Sequence, residues 1–142
     1  MLRSRAGGPY EAGDTRGAVA YAGVVRFGTM EYDLDVERPV PGLMAAEEEP
    51  LTRTLAALAS PPRLRLIRAL LRGPRSTQEL QEALGNVSTG QFYHHLKELL
   101  SARIVVQKGR SLYAIGAQHI VPLLAMLAVA QDLTDLAGEE PT

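Results

Sequence analysis

A chain of 142 residues is one domain by size, long enough to bury a stabilising core, and its lack of cysteine excludes disulfide frameworks and thiolate metal sites. Its formal charge of −1 hides a segregation: residues 51–116 carry ten lysines and arginines against three acids, a balance of +7, whereas residues 1–50 carry five against nine and residues 117–142 none against four. Positive charge gathered in one stretch is the electrostatic footprint of a protein that meets a polyanion.

Residues 1–16 hold Gly, Arg and Pro without periodicity and read as a disordered tail. Met1 to Pro9 include two arginines with no apolar run behind them, which does not make a signal peptide. From residue 17 to 44 the pattern is period two. Val19, Tyr21, Val25 and Phe27 share one parity, Gly28-Thr29 offers a tight turn, and Met30, Tyr32, Leu34 and Val36 alternate with Glu31, Asp33, Asp35 and Glu37. This predicts a β-hairpin with one apolar face and one acidic face, ended by Pro39 and Pro41.

Helical spacing begins at Leu51, Leu55 and Leu58. Ser60 then suits an N-cap with Pro61 at the first helical position, and Leu64, Ile67, Leu70 and Leu71 form an inner stripe that Gly73-Pro74 terminates. Ser76 and Glu79 make a capping-box pattern that opens a short helix through Leu80 and Leu84. Gly85-Asn86 turns the chain, and Ser88 with Gln91 repeats the box to open a helix to about Ser101, with Phe92, Leu96 and Leu99 inward. Two short capped helices around a glycine turn are a helix-turn-helix unit. Residues 104–115 follow as a second hairpin with Gln107-Lys108-Gly109-Arg110 at its tip.

A last helix, roughly Gln118 to Ala137, carries no charge before Asp132 and is apolar around most of its circumference, so it calls for a partner. Pro122 fits only in a first turn or at a kink. The uncharged stretch Ser111 to Gln131 is interrupted by Tyr113, Gly116, Gln118, His119 and Pro122, which argues against a membrane span and for a soluble, cytoplasmic protein.

The run Leu58-Ala59-Ser60-Pro61-Pro62-Arg63-Leu64-Arg65-Leu66-Ile67 resembles the opening of the ArsR-type winged-helix transcriptional regulators, and Val87-Ser88-Thr89-Gly90-Gln91-Phe92-Tyr93-His94-His95-Leu96-Lys97-Glu98-Leu99 resembles their recognition helix. The likeness covers about residues 51–133 and none of the first fifty. It implies a winged helix-turn-helix domain closed by a C-terminal dimerisation helix; with the hairpin arm of 17–44 read from the alternation, the expected fold is mainly α with small β, the domain spanning 45–137 and a tail following at 138–142. It also implies a homodimer built largely by the first and last helices, hence through Leu51, Leu55, Leu58, Leu123, Leu124, Met126, Leu127, Val129 and Leu133. Such proteins bind a palindromic operator in double-stranded DNA, usually as repressors, and an effector, a small molecule or a protein, commonly relieves the repression. Metal-sensing members use cysteines or His/carboxylate pairs; here only His119, Asp132 and Asp135 stand near the end, so neither a metal nor another cofactor is expected. Arg103 occupies a position that is usually glycine in the family.

On the second helix of the unit, Gly90, Tyr93, His94 and Lys97 fall opposite the inward stripe and face a major groove. Thr89 and Gln91 stand at its N-terminal end, where Gln91 suits bidentate pairing with adenine, and Ser88 suits a phosphate. Lys108 and Arg110 at the wing tip suit minor-groove or phosphate contact, or serve solubility alone. Tyr93 serves either packing or contact, His95 reads as a packed, hydrogen-bonded histidine rather than a ligand, and most of Arg63, Arg65, Arg68 and Arg72 read as solvated, with one or two touching phosphate. No Ser/His pair has a third orienting group, and neither a P-loop nor G-x-G-x-x-G occurs, so enzymatic activity is not expected. The competing function is a winged-helix scaffold for protein interaction with little DNA binding.

Overall fold

A computed structural model describes residues 2–9 and 12–138. The chain divides into two compact units, one of residues 48–120 with the hairpin tip 26–31, the other of residues 1–25, 32–47 and 121–142.

In the first unit, helix α2 spans Glu48–Leu58, α3 Pro61–Leu71, α4 Thr77–Leu84 and α5 Thr89–Ser101, following a short α1 at Val40–Ala45 that belongs to the second unit. Helix α2 starts one turn earlier than its leucine spacing announces, because Glu48 and Glu49 favour the positive end of the helix dipole and Pro50 is harmless in a first turn. Helix α3 starts as expected, its Ser60 side chain accepting from the Arg63 N–H and Pro61 following. Its buried set is Leu66, Ile67, Leu70 and Leu71; Leu64 is only half-buried. A simple stripe underestimates this helix because α3 packs against α2, α4, α5 and the wing, and so is covered on several sides. Both capping boxes form, Ser76 with Glu79 at 3.1 and 3.0 Å and Ser88 with Gln91 at 3.1 and 3.3 Å. The bond from the Ser76 N–H holds the exposed Glu79 carboxyl below its usual range.

The wing has three strands where the sequence announces two. Strands β4 (Val105–Gly109) and β5 (Leu112–Ile115) form the hairpin, and β3 (Arg75–Ser76) adds to the free edge of β5 in the order β3-β5-β4, pairing Arg75 with Tyr113 and Ser76 with Leu112. A two-residue strand is too short to show any periodicity. Phe92, Leu96 and Leu99 of α5, Leu80 and Leu84 of α4, Ile104, Val105, Tyr113 and Ile115 complete the core around α3.

In the second unit, strands β1 (Ala18–Phe27) and β2 (Met30–Pro39) make the expected hairpin, whose tip lies in the first unit. Gly28 has φ +60° while Thr29 does not adopt a positive φ, as a type II′ turn requires. Tyr21, Gly23, Val25, Tyr32, Leu34 and Val36 are half-buried and Asp33, Asp35 and Glu37 exposed, but Val19 and Met30, at strand ends, are exposed despite their apolar parity. Gly23 carries the closest approach: a Cβ there would lie 2.8 Å from Val121 Cγ1, so only glycine lets the strand come this near. The bond from the Val40 N–H to the Gly17 carbonyl, 2.8 Å, closes the hairpin base ahead of α1, and the stretch read as a tail contains a 3₁₀ turn at Leu2–Ala6 with an Arg5–Glu37 ion pair.

Helix α6 runs over Ala117–Leu136 with Pro122 past its first turn, where the ring removes the bond that an N–H would make to the Gln118 carbonyl. Ile120, Val121 and Leu123 are buried, Leu124, Met126 and Leu127 half-buried, and Val129, Leu133 and Leu136 exposed. The helical window differs from the Ser111 to Gln131 stretch judged too interrupted to span a membrane: over 117–136 the helix is long and apolar enough to do so by length and composition.

Candidate nucleic-acid interface

Helix α5 is amphipathic across its width. Phe92, Leu96 and Leu99 are buried on one side, while Ser88, Thr89, Gly90, Gln91, Tyr93, His94 and Lys97 are all exposed. Its N-terminus is held by the Ser88–Gln91 box, and this bears on two of the expected contacts. Ser88 Oγ accepts from the Gln91 N–H, so its own hydroxyl hydrogen stays available to donate to a phosphate. Gln91 Oε1 accepts from the Ser88 N–H at 3.3 Å, so bidentate pairing with adenine must share or break that bond. Capping and base reading compete for one side chain, a conflict visible in the motif S-x-x-Q itself.

Tyr93 is 48% exposed, and its ring meets Phe92 edge-on with centroids 5.1 Å apart. The phenol thus has packing on one side and solvent on the other, which joins the two roles open to it. His94 is exposed; His95, behind it, is half-buried and hydrogen-bonded. Nothing lies within 4 Å of a Cβ built on Gly90, leaving the backbone of the first turn open to approach.

At the wing, the pairing runs Gln107 with Tyr113 and then Gly109 with Leu112, which leaves Lys108 as the extra residue of a β-bulge. A bulge redirects its side chain relative to the strand. Lys108 and Arg110 are both exposed, and Ser111 turns the chain with φ +55°.

Arg103 takes up the left-handed conformation, φ +60°, at the C′ position of α5. The Ile104 N–H reaches the Leu99 carbonyl at 3.1 Å and the Arg103 N–H reaches Leu100 at 3.0 Å, the bond pair of a Schellman motif, with Ile104 and Leu99 both buried. A side chain at this φ is strained, which explains why glycine suits the position. Arg103→Gly is therefore expected to raise stability by about 0.5–1 kcal/mol in urea unfolding. A lower stability would mean that the arginine side chain contributes more than its backbone costs.

Of the four arginines around α3, most of which were expected to be solvated, Arg63 is half-buried and donates to Ala56, Ala57 and His95, while the exposed Arg65 reaches the Leu84 carbonyl at 3.4 Å. Arg68 and Arg72 are exposed. Of the residues expected at a dimer contact, Leu51, Leu55, Val129 and Leu133 are exposed, Leu58, Leu124, Met126 and Leu127 are half-buried, and Leu123 is packed within its own chain. Among the described residues no three His, Asp or Glu side chains gather as a metal ion would need.

A family model described as a helix-turn-helix domain matches residues 58–108. Among solved structures, M. tuberculosis Rv0081 is 27% identical with a TM-score of 0.51, covering 63% of this chain and 96% of that one. An ArsR family transcriptional regulator, RHA00566, is 26% identical with a TM-score of 0.50, covering 65% and 97%. The homodimeric winged helix-turn-helix domain of Mycobacterium bovis Mb0332, at 21% identity and a TM-score of 0.52, covers 70% and 100% and speaks for the fold alone. No curated protein matches the chain. The matched motif, the three-stranded wing and these likenesses converge: the chain carries a helix-turn-helix domain with a wing, similar in fold to an ArsR family transcriptional regulator.

Proposed function

We propose that this chain is a dimeric, sequence-specific DNA-binding transcriptional regulator of the cytoplasm, a repressor that seats α5 of each subunit in successive major grooves of a palindromic operator. The observation that carries the reading is the exposed polar flank of α5, capped at its N-terminus and anchored from behind by Phe92, Leu96 and Leu99 within the basic stretch of the chain. Thr89, Gly90, Tyr93, His94 and Lys97 would meet base edges and the adjoining backbone, Ser88 a phosphate, and Lys108 and Arg110 the flanking groove. Dimerisation draws support from the exposed Leu51, Leu55, Val129 and Leu133 and from the homodimeric state stated for Mb0332. An effector would act by changing how the two recognition helices are spaced, since affinity depends on both fitting one duplex.

Selecting bound duplexes from a random pool and measuring their affinity across a salt series tests this. Affinity should fall steeply with salt, Lys97→Ala and Lys108→Ala should each weaken all sequences alike and lower the salt slope by about 1, and Gln91→Ala should change base preference. A protein with no salt-dependent duplex affinity would instead be a protein-interaction scaffold. Equal effects of Gln91→Ala on all sequences would remove Gln91 from base reading and leave it as a cap.

A further inference from the structure

One side chain joins three helices behind the exposed flank of α5. Arg63, in the first turn of α3, donates from Nε to the Ala57 carbonyl at 2.6 Å and from Nη2 to the Ala56 carbonyl at 3.1 Å, capping the C-terminal end of α2. Its Nη1 lies 3.1 Å from His95 Nδ1 on α5. A guanidinium only donates, so Nδ1 must accept, and an accepting Nδ1 means a neutral imidazole with its hydrogen on Nε2. The planar fork of arginine fixes these directions together, which the single ammonium of lysine cannot do.

We propose that Arg63 and His95 are the positioning pair that orients the recognition helix, and that this orientation requires His95 to be neutral. The inference rests on the reading of α5 as the recognition helix. Protonating His95 removes the lone pair that Arg63 uses and sets a second cation 3.1 Å from it. The groups around His95 favour the neutral form on balance: partial burial comes first, then Arg63 from α3 and His94 from α5 itself, with only Glu98 of α5 opposing. From α2 the facing groups are the two carbonyls held by Arg63, while its Glu49 and Arg53 pair with each other, and Lys108 of β4 is exposed. These influences hold His95 below its ordinary 6.5. Because the folded value is lowered, the stabilisation is complete above about 6.5 and is lost as pH falls through the folded value.

The test follows duplex affinity between pH 7.5 and 5.5 at constant salt, alongside nitrogen NMR of the histidines in the free protein. Wild type should bind about tenfold more weakly at the lower pH, roughly 1.4 kcal/mol. His95→Asn sets an amide oxygen near the place of Nδ1 without a titrating group, so its affinity, whatever its value at pH 7.5, should not fall in acid. NMR should show the Nε2–H tautomer, and Arg63→Lys should move the His95 midpoint up toward 6.5. An Nδ1–H tautomer, or a His95→Asn profile that still falls in acid as wild type does, overturns the proposal. If no duplex binds at any pH, the regulator reading fails, and amide exchange then decides the positioning role. Faster exchange along Phe92 to Lys97 in Arg63→Lys supports it, and unchanged exchange overturns it.

Discussion

Val129→Asp combined with Leu133→Asp is expected to split the proposed dimer while leaving each subunit folded. Both side chains are on the exposed stretch of α6, 54% and 65% accessible in the single chain, so neither replacement opens a core. In a two-fold interface the pair becomes four carboxylates, and taking an unpaired charge out of water costs several kcal/mol. Dissociation should therefore rise by at least about a thousandfold, which corresponds to roughly 4 kcal/mol. Sedimentation should show a monomer with unchanged circular dichroism, and duplex affinity should fall by about a hundredfold or more as two-site binding is lost. A double variant that stays dimeric would move the interface away from this end of α6. A wild type that partitions into vesicles instead of pairing in water would assign the apolar helix to a bilayer, which its length and composition also allow.

Phe92→Ala is expected to destabilise the helix-turn-helix by about 3–5 kcal/mol, the cost of a large buried ring and the cavity it leaves. Phe92 is 1% exposed, on the inner side of α5, and its ring also supports Tyr93. A small domain has in total only about 5–15 kcal/mol to lose, so this one change removes a large share. Tyr93→Ala, one residue along, offers the contrast. Its ring is half in solvent, so stability should drop by no more than about 1 kcal/mol while duplex affinity falls. Urea unfolding and duplex titration of the two variants separate the side of the helix that holds it from the side that works. Similar stability losses from both would mean that Tyr93 is a core residue.

Capping chemistry accounts for most of what could be read without coordinates. Ser60 accepts from the Arg63 N–H while Pro61 has no N–H to satisfy, and the Ser76–Glu79 and Ser88–Gln91 boxes satisfy helix-end N–H groups through side chains within three residues, so these helices start where the pattern says. The alternation from Glu31 to Glu37 likewise locates the acidic hairpin face, because successive side chains of a strand point to opposite sides. The two-residue β3 was invisible for the opposite reason: its pairing depends on the edge of β5, 38 residues away in sequence at the Arg75–Tyr113 pair, and nothing local encodes it.

The candidate interface divides the same way. Its exposed flank follows from the spacing of Phe92, Leu96 and Leu99, since three buried positions at helical period dictate which residues face outward. Arg63 was different, appearing as one of several arginines around α3 until the end of α2 and the inner side of α5 were brought to it. Lys108 lay in a basic tip by composition, but its place in a bulge depends on how two strands register. Leu123 was expected, from the family resemblance, among the partner-seeking leucines of α6, yet it is buried within its own chain.

The order of local interactions alone determined that this protein has capped helices around a glycine turn, a basic wing and an acidic hairpin, because caps, turns and side-chain periods act over a few residues. Tertiary structure decided which polar groups are spent inside the fold and which remain for a partner. That choice depends on distant backbone carbonyls, strand edges and helix faces, whose meeting no short stretch of chain specifies.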